Sequence, residues 1–500
     1  MTTYSRPGVF IQEVELPQTI ALADNGSAIG AFVGALSKGS TAVPVLLNSW
    51  TDFVKTFGSL DDAYPTTWAA YNFFANGGRQ LYVKRLVGTG AAASTLTLQD
   101  ASDVDTLKVS AANAGTWGND LAVQITTGAS TGRFVVLVYY KGNLVEKFDD
   151  LSMSSSDKRY AVTYINATSS YVVTEDKNSV SVNKAPAVAA TTALTSGANG
   201  AALVAEDYVF TSFDPIDSPL VFNVPDAAYL TDSDSQDVST AVVSYCETRA
   251  DAFAVVDVTS GKSVADAQTF ITGVASSQGV AAAYYPWILI PNTLSAAPGA
   301  TRLQAPGASM VGQFLATDAS RGVFKAPAGY GNRVALAVAT EKQLTNSDLD
   351  ALNSGVTVSG TVAAPLNAIR QIPGSGILVM GARTLNNETA SRYINVRRSL
   401  IYIEKELQRL SAFAVFENND SRLWAQIKVS LDTFLRNYWS QGGLRGNNPD
   451  QAFYVTCDAT TNSQADILNG TVNIEVGVAV EYPAEFIVIK LGQITGNASA

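Results

Sequence analysis

The chain has 500 residues, of which 47% are hydrophobic and 15% are charged, and its formal net charge at pH 7 is −11. This length suits about two to four domains, and the charged fraction lies below the roughly 25% of a typical soluble protein. Low charge suggests a largely covered surface, and other copies of the chain are the simplest cover. Direct binding to nucleic acid is not expected, because it needs a clustered basic surface that displaces counterions.

The sequence contains no histidine and only two cysteines, Cys246 and Cys457. The lack of histidine removes the commonest general base, the Ser-His-Asp triad and imidazole metal sites. Two cysteines so far apart form neither a CxxC motif nor a disulfide framework, and they predict free buried thiols in a reducing compartment. We expect no catalytic residue, cofactor or metal site, although acidic pairs of the kind used by glycosidases remain an alternative.

No segment predicts a signal peptide or a membrane span. The first ten residues, MTTYSRPGVF, lack an apolar core. The longest nearly apolar run, residues 280–291, has 12 residues and two prolines, whereas a membrane helix needs about 20. We therefore expect a chain without membrane insertion.

Residues 1–25 are predicted to form an amino-terminal arm. A turn at Pro7-Gly8 precedes a short apolar strand, whose candidate residues are Val9, Phe10, Ile11 and Val14. The stretch that follows, up to Gly26, offers too few neighbours in sequence to bury this strand locally.

Residues 26–88 have the pattern of an α/β unit, and residues 89–204 that of a β-rich insertion domain. In the first we predict strands at 28–36 and 81–83 and helices at 50–57 and 66–74. In the second, Ser, Thr, Val, Asn and Gly dominate, with alternating runs such as residues 134–140.

Residues 205–355 resume the alternation of helix and strand. We predict helices at 239–250 and 264–278, strands at 253–258 and 280–290, and a loop-rich stretch at 291–331. Such alternation indicates a partly parallel sheet, so residues 26–88 and 205–355 are predicted to form one α/β middle domain. Gly261-Lys262-Ser263 resembles part of a phosphate-binding loop, but Val256 stands where that motif needs glycine, so nucleotide binding is not expected.

Residues 356–482 carry the clearest periodicities and predict a carboxy-terminal domain. Apolar residues at steps of four and three predict a helix over 392–410, and a second helix starts after Asp420 and stops at Gly442-Gly443. Strict alternation then predicts a strand, a candidate acceptor for added strands, with one face formed by Val472, Ile474, Val476, Val478 and Val480. Residues 483–500 are predicted to be a carboxy-terminal arm, with a short strand at Phe486, Ile487, Val488 and Ile489.

The chain thus has a short apolar strand near each end. Unpaired strands expose backbone donors and acceptors, and a protein with one at each end can use them to pair with neighbouring copies. The alternative is that both strands pair within their own chain.

Short motifs occur along the chain outside residues 89–200. The main ones are YSRPGVFI at 4–11, FFANGG at 73–78, YYPW at 284–287, TD at 317–318, RGV at 321–323, KAPAG at 325–329, GARTL at 381–385, YINVRR at 393–398, FENN at 416–419 and PAEF at 483–486. In these motifs and in their order the sequence resembles the contractile tail sheath family. One departure is Asn418, where the family usually has proline.

The resemblance implies a multidomain α/β sheath fold, of mixed α+β content, whose terminal arms add strands to a sheet in neighbouring subunits. It places the carboxy-terminal domain near the tail tube and the insertion outermost. It also implies a virion protein that assembles in the host cytoplasm as stacked hexameric rings around a tail tube, and contracts to drive the tube through the host envelope. The expected partners are other copies, the tail tube, the baseplate and the terminator. A headless injection particle and a static self-assembling shell are the alternatives.

Two sets of side chains are candidates for contacts between proteins. On the second carboxy-terminal helix Arg422, Lys428 and Arg436 are candidate tube contacts, because Lys428, Asp432 and Arg436 are spaced by four and so share a helix face. The alternative is a solvated face with internal ion pairs. Five basic residues inside the motif blocks are candidates for ion pairs between subunits, with pairing inside one chain as the alternative; they are Arg321, Lys325, Arg383, Arg397 and Arg398.

Overall fold

The computed structural model describes residues 28–177, 185–355, 364–386 and 388–486. These residues fall into an α/β unit, an insertion and a carboxy-terminal unit, and each has its own core of buried apolar side chains. The fold is mixed α/β, as the sequence predicted. The predicted amino-terminal arm, with Val9, Phe10, Ile11 and Val14, lies outside the described residues, as do Ile487, Val488 and Ile489.

The α/β unit begins with a fully apolar strand and two helices. Ser49 accepts a hydrogen bond from the amide of Asp52 and so caps the first helix, whose Phe53 and Phe57 are buried. The predicted bounds of this helix are confirmed. The elements are β1 (Ile29–Ala35), β2 (Val45–Leu47), α1 (Trp50–Phe57), α2 (Pro65–Ala75) and β3 (Leu81–Leu86).

The insertion consists of antiparallel strands around a core that includes Trp117, Phe134 and Ile165. Strands β4, β5 and β9 form one sheet and strands β10, β6, β7 and β8 another. The elements are β4 (Thr95–Gln99), β5 (Asp105–Ala111), β6 (Leu121–Thr127), β7 (Phe134–Tyr140), β8 (Asn143–Leu151), α3 (Ala161–Thr168), β9 (Val172–Asp176) and β10 (Ala189–Ala193).

A buried guanidinium joins the insertion to the α/β unit. Arg85 is 1% exposed and donates to the carbonyl oxygens of Leu36, Ser37 and Gly39 and, from the insertion, of Ala114, at 2.7–2.9 Å. Burial without an acidic partner lowers the pKa of Arg85 to about 10. The residue therefore ties the insertion to the end of β1 through backbone contacts alone.

The chain then returns to the α/β unit and completes its large sheet. Thr231 caps the first returning helix by accepting from the amide of Asp234, so that helix starts earlier than predicted. The elements are β11 (Leu220–Asn223), α4 (Asp232–Arg249), β12 (Ala252–Asp257), α5 (Val264–Thr272), β13 (Ala281–Tyr285), β14 (Ile288–Pro291), β15 (Thr301–Gln304), α6 (Gly307–Arg321), β16 (Ala339–Thr340), α7 (Asn346–Ser354), β17 (Asn367–Ile372) and β18 (Gly376–Val379).

The large sheet has eight strands in the order β18-β17-β13-β12-β11-β1-β3-β2. The six inner strands are parallel, and the edge strands β2 and β18 run antiparallel to their neighbours. Strands β1 and β12 are buried almost throughout, as expected where helices cover both faces of a parallel sheet.

Three predictions for this unit are wrong. The predicted strand 280–290 is split into β13 and β14, which lie in different sheets, because Pro286 has no amide to continue the ladder. The stretch predicted as loop-rich contains α6, whose 15 residues are mostly buried. Strands β17 and β18, assigned to the carboxy-terminal domain by the predicted boundary at 356, extend the large sheet instead.

The carboxy-terminal unit is built on two long amphipathic helices and a hairpin. The first helix contributes to two cores, with Ile394 and Ile401 in the α/β core and Val396 and Ile403 in the carboxy-terminal core. The elements are α8 (Ile394–Ser411), α9 (Ser421–Ser440), α10 (Pro449–Ala452), β19 (Phe453–Thr456), α11 (Gln464–Leu468) and β20 (Glu475–Val478).

Candidate functional site

A buried ion pair fixes α8 to the α/β unit. Arg398 donates through both terminal nitrogens to the carboxylate of Asp318 on α6, with Nη1–Oδ1 at 2.9 Å, and the two side chains are 5% and 7% exposed. Its guanidinium also lies 5.1 Å from the ring centre of Phe314. Arg398 therefore pairs within its own chain, which corrects the expectation of an intersubunit ion pair for this residue.

A second pair anchors the root of the carboxy-terminal arm. Arg383 donates to both carboxylate oxygens of Glu485 at 2.9 and 2.6 Å, and the hydroxyl of Tyr393 donates to Glu485 at 3.1 Å. The side-chain amide of Asn395 donates to the carbonyl of Glu481 at 3.0 Å. Arg383 is thus also engaged within its own chain, and it fixes the place from which residues beyond Phe486 depart.

The other three basic candidates are placed differently. Arg321 is exposed at the end of α6, and Lys325 is half-buried with its ammonium 3.3 Å from the carbonyl of Ala326. Arg397 is half-buried, and its buried Nε has no hydrogen-bond partner among the described residues. Ion pairs between subunits remain a prediction for these three residues.

The predicted acceptor strand is a short hairpin partner. Only Glu475–Val478 forms a strand, β20, which pairs antiparallel with β19, while Val480 makes a single bridge to Leu444. The ladder does not extend back because Asn473 is held by the side chain of Asn462, with Asn473 N donating to Oδ1 at 2.6 Å and Nδ2 donating to the Asn473 carbonyl at 3.0 Å. The prediction of a strand through Val472 and Ile474 is therefore wrong in length.

The apolar face of that segment is nevertheless directed as predicted. Val472, Ile474, Val476 and Val478 pack against the carboxy-terminal core. Within the described ranges, no third strand pairs with β19 or β20. The result is a two-stranded sheet on an apolar base without a further strand on either edge among the described residues, and the last of these residues, Phe486, is 71% exposed.

Helix α9 presents one line of exposed side chains opposite its buried face. Asp420 caps the helix by accepting from the amides of Arg422 and Leu423. This outer line consists of Arg422, Val429 and Arg436, which are spaced by seven residues and so lie on the same face of the helix. The side chains of Arg422 and Arg436 are 91% and 53% exposed, and Val429 is 66% exposed. Lys428 is exposed but lies on the flank, where its charge contributes to lowering the pKa of Asp458, after the hydrogen bonds from Thr460.

Other features of the described residues offer no chemical site. The Gly261-Lys262-Ser263 loop is occupied by the protein, since Lys262 pairs with Asp232 and the amide of Gly261 donates to Glu341 at 2.8 Å. No group of acidic and cysteine side chains in the described ranges is arranged to hold a metal ion. Nor does any helix there have the length and apolar character to cross a membrane. Cys246 and Cys457 are buried and unpaired.

Sequence reasoning missed the acidic halves of both ion pairs. Asp318 and Glu485 lie in the quoted motifs TD and PAEF, but neither was given a role. Their position inside motif blocks, like that of Arg383 and Arg398, was the available signal.

Comparison with known proteins supports a sheath fold. Residues 387–493 match the family model of the phage tail sheath C-terminal domain. No curated protein matches the sequence significantly.

Solved sheath structures match nearly the full length of the chain. The helical sheath of the anti-feeding prophage in the contracted state is 20% identical, with a TM-score of 0.57, over 98% of this chain and 100% of that one. The contracted sheath complex of the extracellular contractile injection system PVC is 21% identical, with a TM-score of 0.56, over 99% of both chains. A sheath tail protein from Listeria innocua is 15% identical, with a TM-score of 0.62, over 91% of this chain and 95% of that one. Residues 387–493 are therefore similar to the phage tail sheath C-terminal domain family, and the chain as a whole has the fold of these sheath proteins.

Proposed function

We propose that the chain is the sheath subunit of a contractile tail. Copies polymerise around a tail tube and, when triggered at the baseplate, rearrange into a shorter and wider tube that drives the inner tube through the host envelope. The observation that carries the proposal is the open β19–β20 hairpin beside the clamped root of an arm, within the segment that matches the sheath family model. No enzymatic role is assigned to the chain.

Strand addition is the means by which subunits stay joined while they move. The hairpin offers two free edges over an apolar base, and edges of this kind pair readily with an added strand. The arms at 1–25 and 483–500, with apolar residues such as Phe10 and Ile487, are the proposed added strands. Backbone ladders of this kind hold neighbours together while the segments between them hinge.

Interfaces supply the energy of contraction. If contraction buries about 1,000 Å² more apolar surface per subunit, it releases at most roughly 25 kcal/mol before ordering and desolvation costs are subtracted. A fraction of that amount, summed over many subunits, is sufficient. The extended state is then held kinetically, and no nucleotide is required.

The tube contact is proposed to run along the outer line of α9. Arg422 and Arg436 lie on either side of the exposed Val429, in exposed ion pairs with Asp420 and Asp432, and they would exchange these partners for carboxylates of an acidic tube surface. Reversing Arg422 and Arg436 to glutamate should abolish copurification of the tube protein, whereas Lys428→Glu on the flank should weaken it less. Unchanged copurification of the tube protein with the double variant would show that this face of α9 does not contact the tube.

The particle is proposed to be a phage tail or a headless injection particle. The family model names a phage tail sheath, whereas the anti-feeding prophage and PVC matches favour an injection particle. Electron micrographs of native particles decide between them by the presence or absence of a capsid. A static shell predicts one tube diameter under all conditions, whereas a sheath predicts a long narrow and a short wide form.

Deletion of either arm tests the proposal. Chains lacking residues 1–15 or 483–500 should remain folded monomers that form no sheath tubes, because each deletion removes one set of exchanged strands. Circular dichroism checks the fold and negative-stain microscopy counts tubes. Normal tubes from either truncated chain would contradict strand exchange.

A further inference from the structure

The turn between α8 and α9 carries the most exposed of the large apolar side chains in the described ranges. Phe416 is 103% exposed, and its neighbours Phe413 and Val415 are 47% and 67% exposed. The backbone of Phe416 has φ of +68°, a conformation that is costly for a bulky residue and that persists only where the surroundings impose it. We call these three residues the Phe416 knob.

A groove lies beside the root of the carboxy-terminal arm. Its lining includes Lys325, Ala328, Met380, Tyr393 and Tyr482, and its volume is about 460 Å³. This volume lies in the range of small-ligand pockets and can accept a phenyl ring. We call it the arm-root groove.

The knob and the groove lie at opposite ends of one helix. Tyr393 and Asn395 line the groove at the start of α8, and the knob follows the end of α8 at Ser411. The 18 residues of α8 separate them by roughly 27 Å at 1.5 Å per residue. The knob therefore cannot fill the groove of its own chain, and a contact between the two surfaces repeats from copy to copy in one direction, as in a ring or a helical array.

A negative charge follows the knob and a positive charge lines the groove. Glu417 follows the knob and is exposed, and Lys325 lines the groove. Glu481 and Glu485 also line the groove, and Glu485 is paired with Arg383. Neither Glu417 nor Lys325 has an ion-pair partner within the described ranges, where Lys325 donates a hydrogen bond to the carbonyl of Ala326. Docking of the knob into the groove of another copy would bring an unpaired carboxylate towards an unpaired ammonium.

We propose that the Phe416 knob of one copy inserts into the arm-root groove of the next copy, with Glu417 beside Lys325. The contact rests on the proposed self-assembly and adds to it a side-chain contact that is separate from strand exchange. It also places a neighbour directly against Tyr482 and Glu485, from which the carboxy-terminal arm departs.

Disulfide trapping in full-length assembled tubes tests this contact. Phe416→Cys combined with Met380→Cys should give a ladder of covalent oligomers after oxidation, with little background because Cys246 and Cys457 are 0% and 3% exposed. The matched control combines Phe416→Cys with Leu294→Cys, a residue that is 48% exposed outside the groove, and should remain monomeric. Tubes that give no ladder with the first pair, or equal ladders with both pairs, would overturn the proposal.

Charge exchange provides a second test, in which recovery in the double variant shows that the single variants did not fail merely by misfolding. Glu417→Lys and Lys325→Glu should each reduce tube yield roughly tenfold, and the double variant should recover it. A double variant whose tube yield is reduced by the combined effects of the two single substitutions would contradict the pairing of Glu417 with Lys325. Normal tubes from all three variants, together with no cross-linking of the cysteine pair, would refute the knob contact but not strand exchange. Failure of the unmodified chain to form any tube would refute the sheath function itself.

Discussion

The large sheet of the α/β unit and the β19–β20 hairpin differ in how well their edge strands are protected from pairing with other chains. The large sheet ends in β2, which has three residues, and in β18, whose Leu378 is bridged by Arg333. Short or covered edges of this kind prevent pairing with other chains. The hairpin, in contrast, has no third strand in the described ranges and lies beside the root of an arm. The α/β unit therefore completes its large sheet within one chain, whereas the hairpin can be extended by a strand from another copy.

Breaking the Arg398–Asp318 pair should have the largest effect, because it joins the two units. Arg398→Ala leaves Asp318 buried beside an apolar surface, and removing one partner of a buried pair costs about 3–5 kcal/mol. Chemical denaturation of the monomer should show this loss. Arg436→Ala, which removes a half-exposed pair with Asp432, is the matched control and should change stability by less than about 1 kcal/mol. Equal effects of the two would mean that α8 is not held by the buried pair.

Removing Arg85 should loosen the insertion while the hairpin stays intact. Arg85→Met leaves four carbonyl groups without their donor, and each unsatisfied buried acceptor costs about 1–3 kcal/mol before water reaches it. We expect a loss of about 3 kcal/mol and faster proteolysis at the 87–115 junction. Protease sites that appear first in residues 421–480 would contradict this placement.

The stability of the α/β unit, which contains the large sheet, should decrease as the pH rises towards neutrality. Burial raises the pKa of Asp226 and of Asp257 to about 6, although Asp226 accepts from Thr66 and Ala35 and Asp257 from Asn223 and Gly307. Because the folded-state pKa values lie above the ordinary value of 3.8, the folded chain binds these protons more tightly than the unfolded chain. Their contribution to stability is full below about pH 4 and is lost as pH rises through about 6.

Asp226→Asn isolates this contribution. The difference in unfolding free energy between the natural chain and the variant should favour the natural chain more at pH 5 than at pH 7, by about 1–2 kcal/mol. Asp103→Asn, at an exposed turn, should show no such difference. A variant effect that is independent of pH would mean that Asp226 is ionised throughout.

The arm-root clamp should matter least for stability and much more for assembly. Arg383→Gln removes the fork to Glu485, whose partners are 11% and 22% exposed, and the hydrogen bond from Arg383 to the carbonyl of Asn353, so the monomer should lose about 1 kcal/mol. Tube formation should fall clearly, since the arm would leave the hairpin at no fixed angle. Thermal unfolding and microscopy on the same sample separate the two effects, and a stable variant with normal tubes would show that the clamp has no role in assembly.

The sequence predicted the amphipathic elements and missed the elements that are buried all round. Helices α1, α8 and α9 each have one apolar stripe, which periodicity detects. Helix α6 is lined with small residues and buried on nearly every side, so no stripe marks it. The β17–β18 hairpin has a turn signal in Pro373-Gly374, but its first strand includes Arg370 and Gln371 and is therefore not marked by an apolar run.

Side-chain partners were the least predictable part of the site. The motif blocks contain Arg383 and Arg398 as well as their partners Glu485 and Asp318, but the partners lie 102 and 80 residues away, so the sequence does not show which residues pair. The shortened β20 follows from one amide, Asn462, whose capture of Asn473 no local pattern announces. Such contacts between distant segments are set by the tertiary fold, whereas periodicity reports only the local environment of each element.

The most direct measurement of the central claim is a cryo-EM structure of the assembled tube in its extended and contracted forms. The account predicts that strands from the 1–25 and 483–500 segments of neighbouring copies lie along the β19–β20 hairpin in both forms, while the α/β sheets only change position. Arms that return to the hairpin of their own chain in both forms would contradict it.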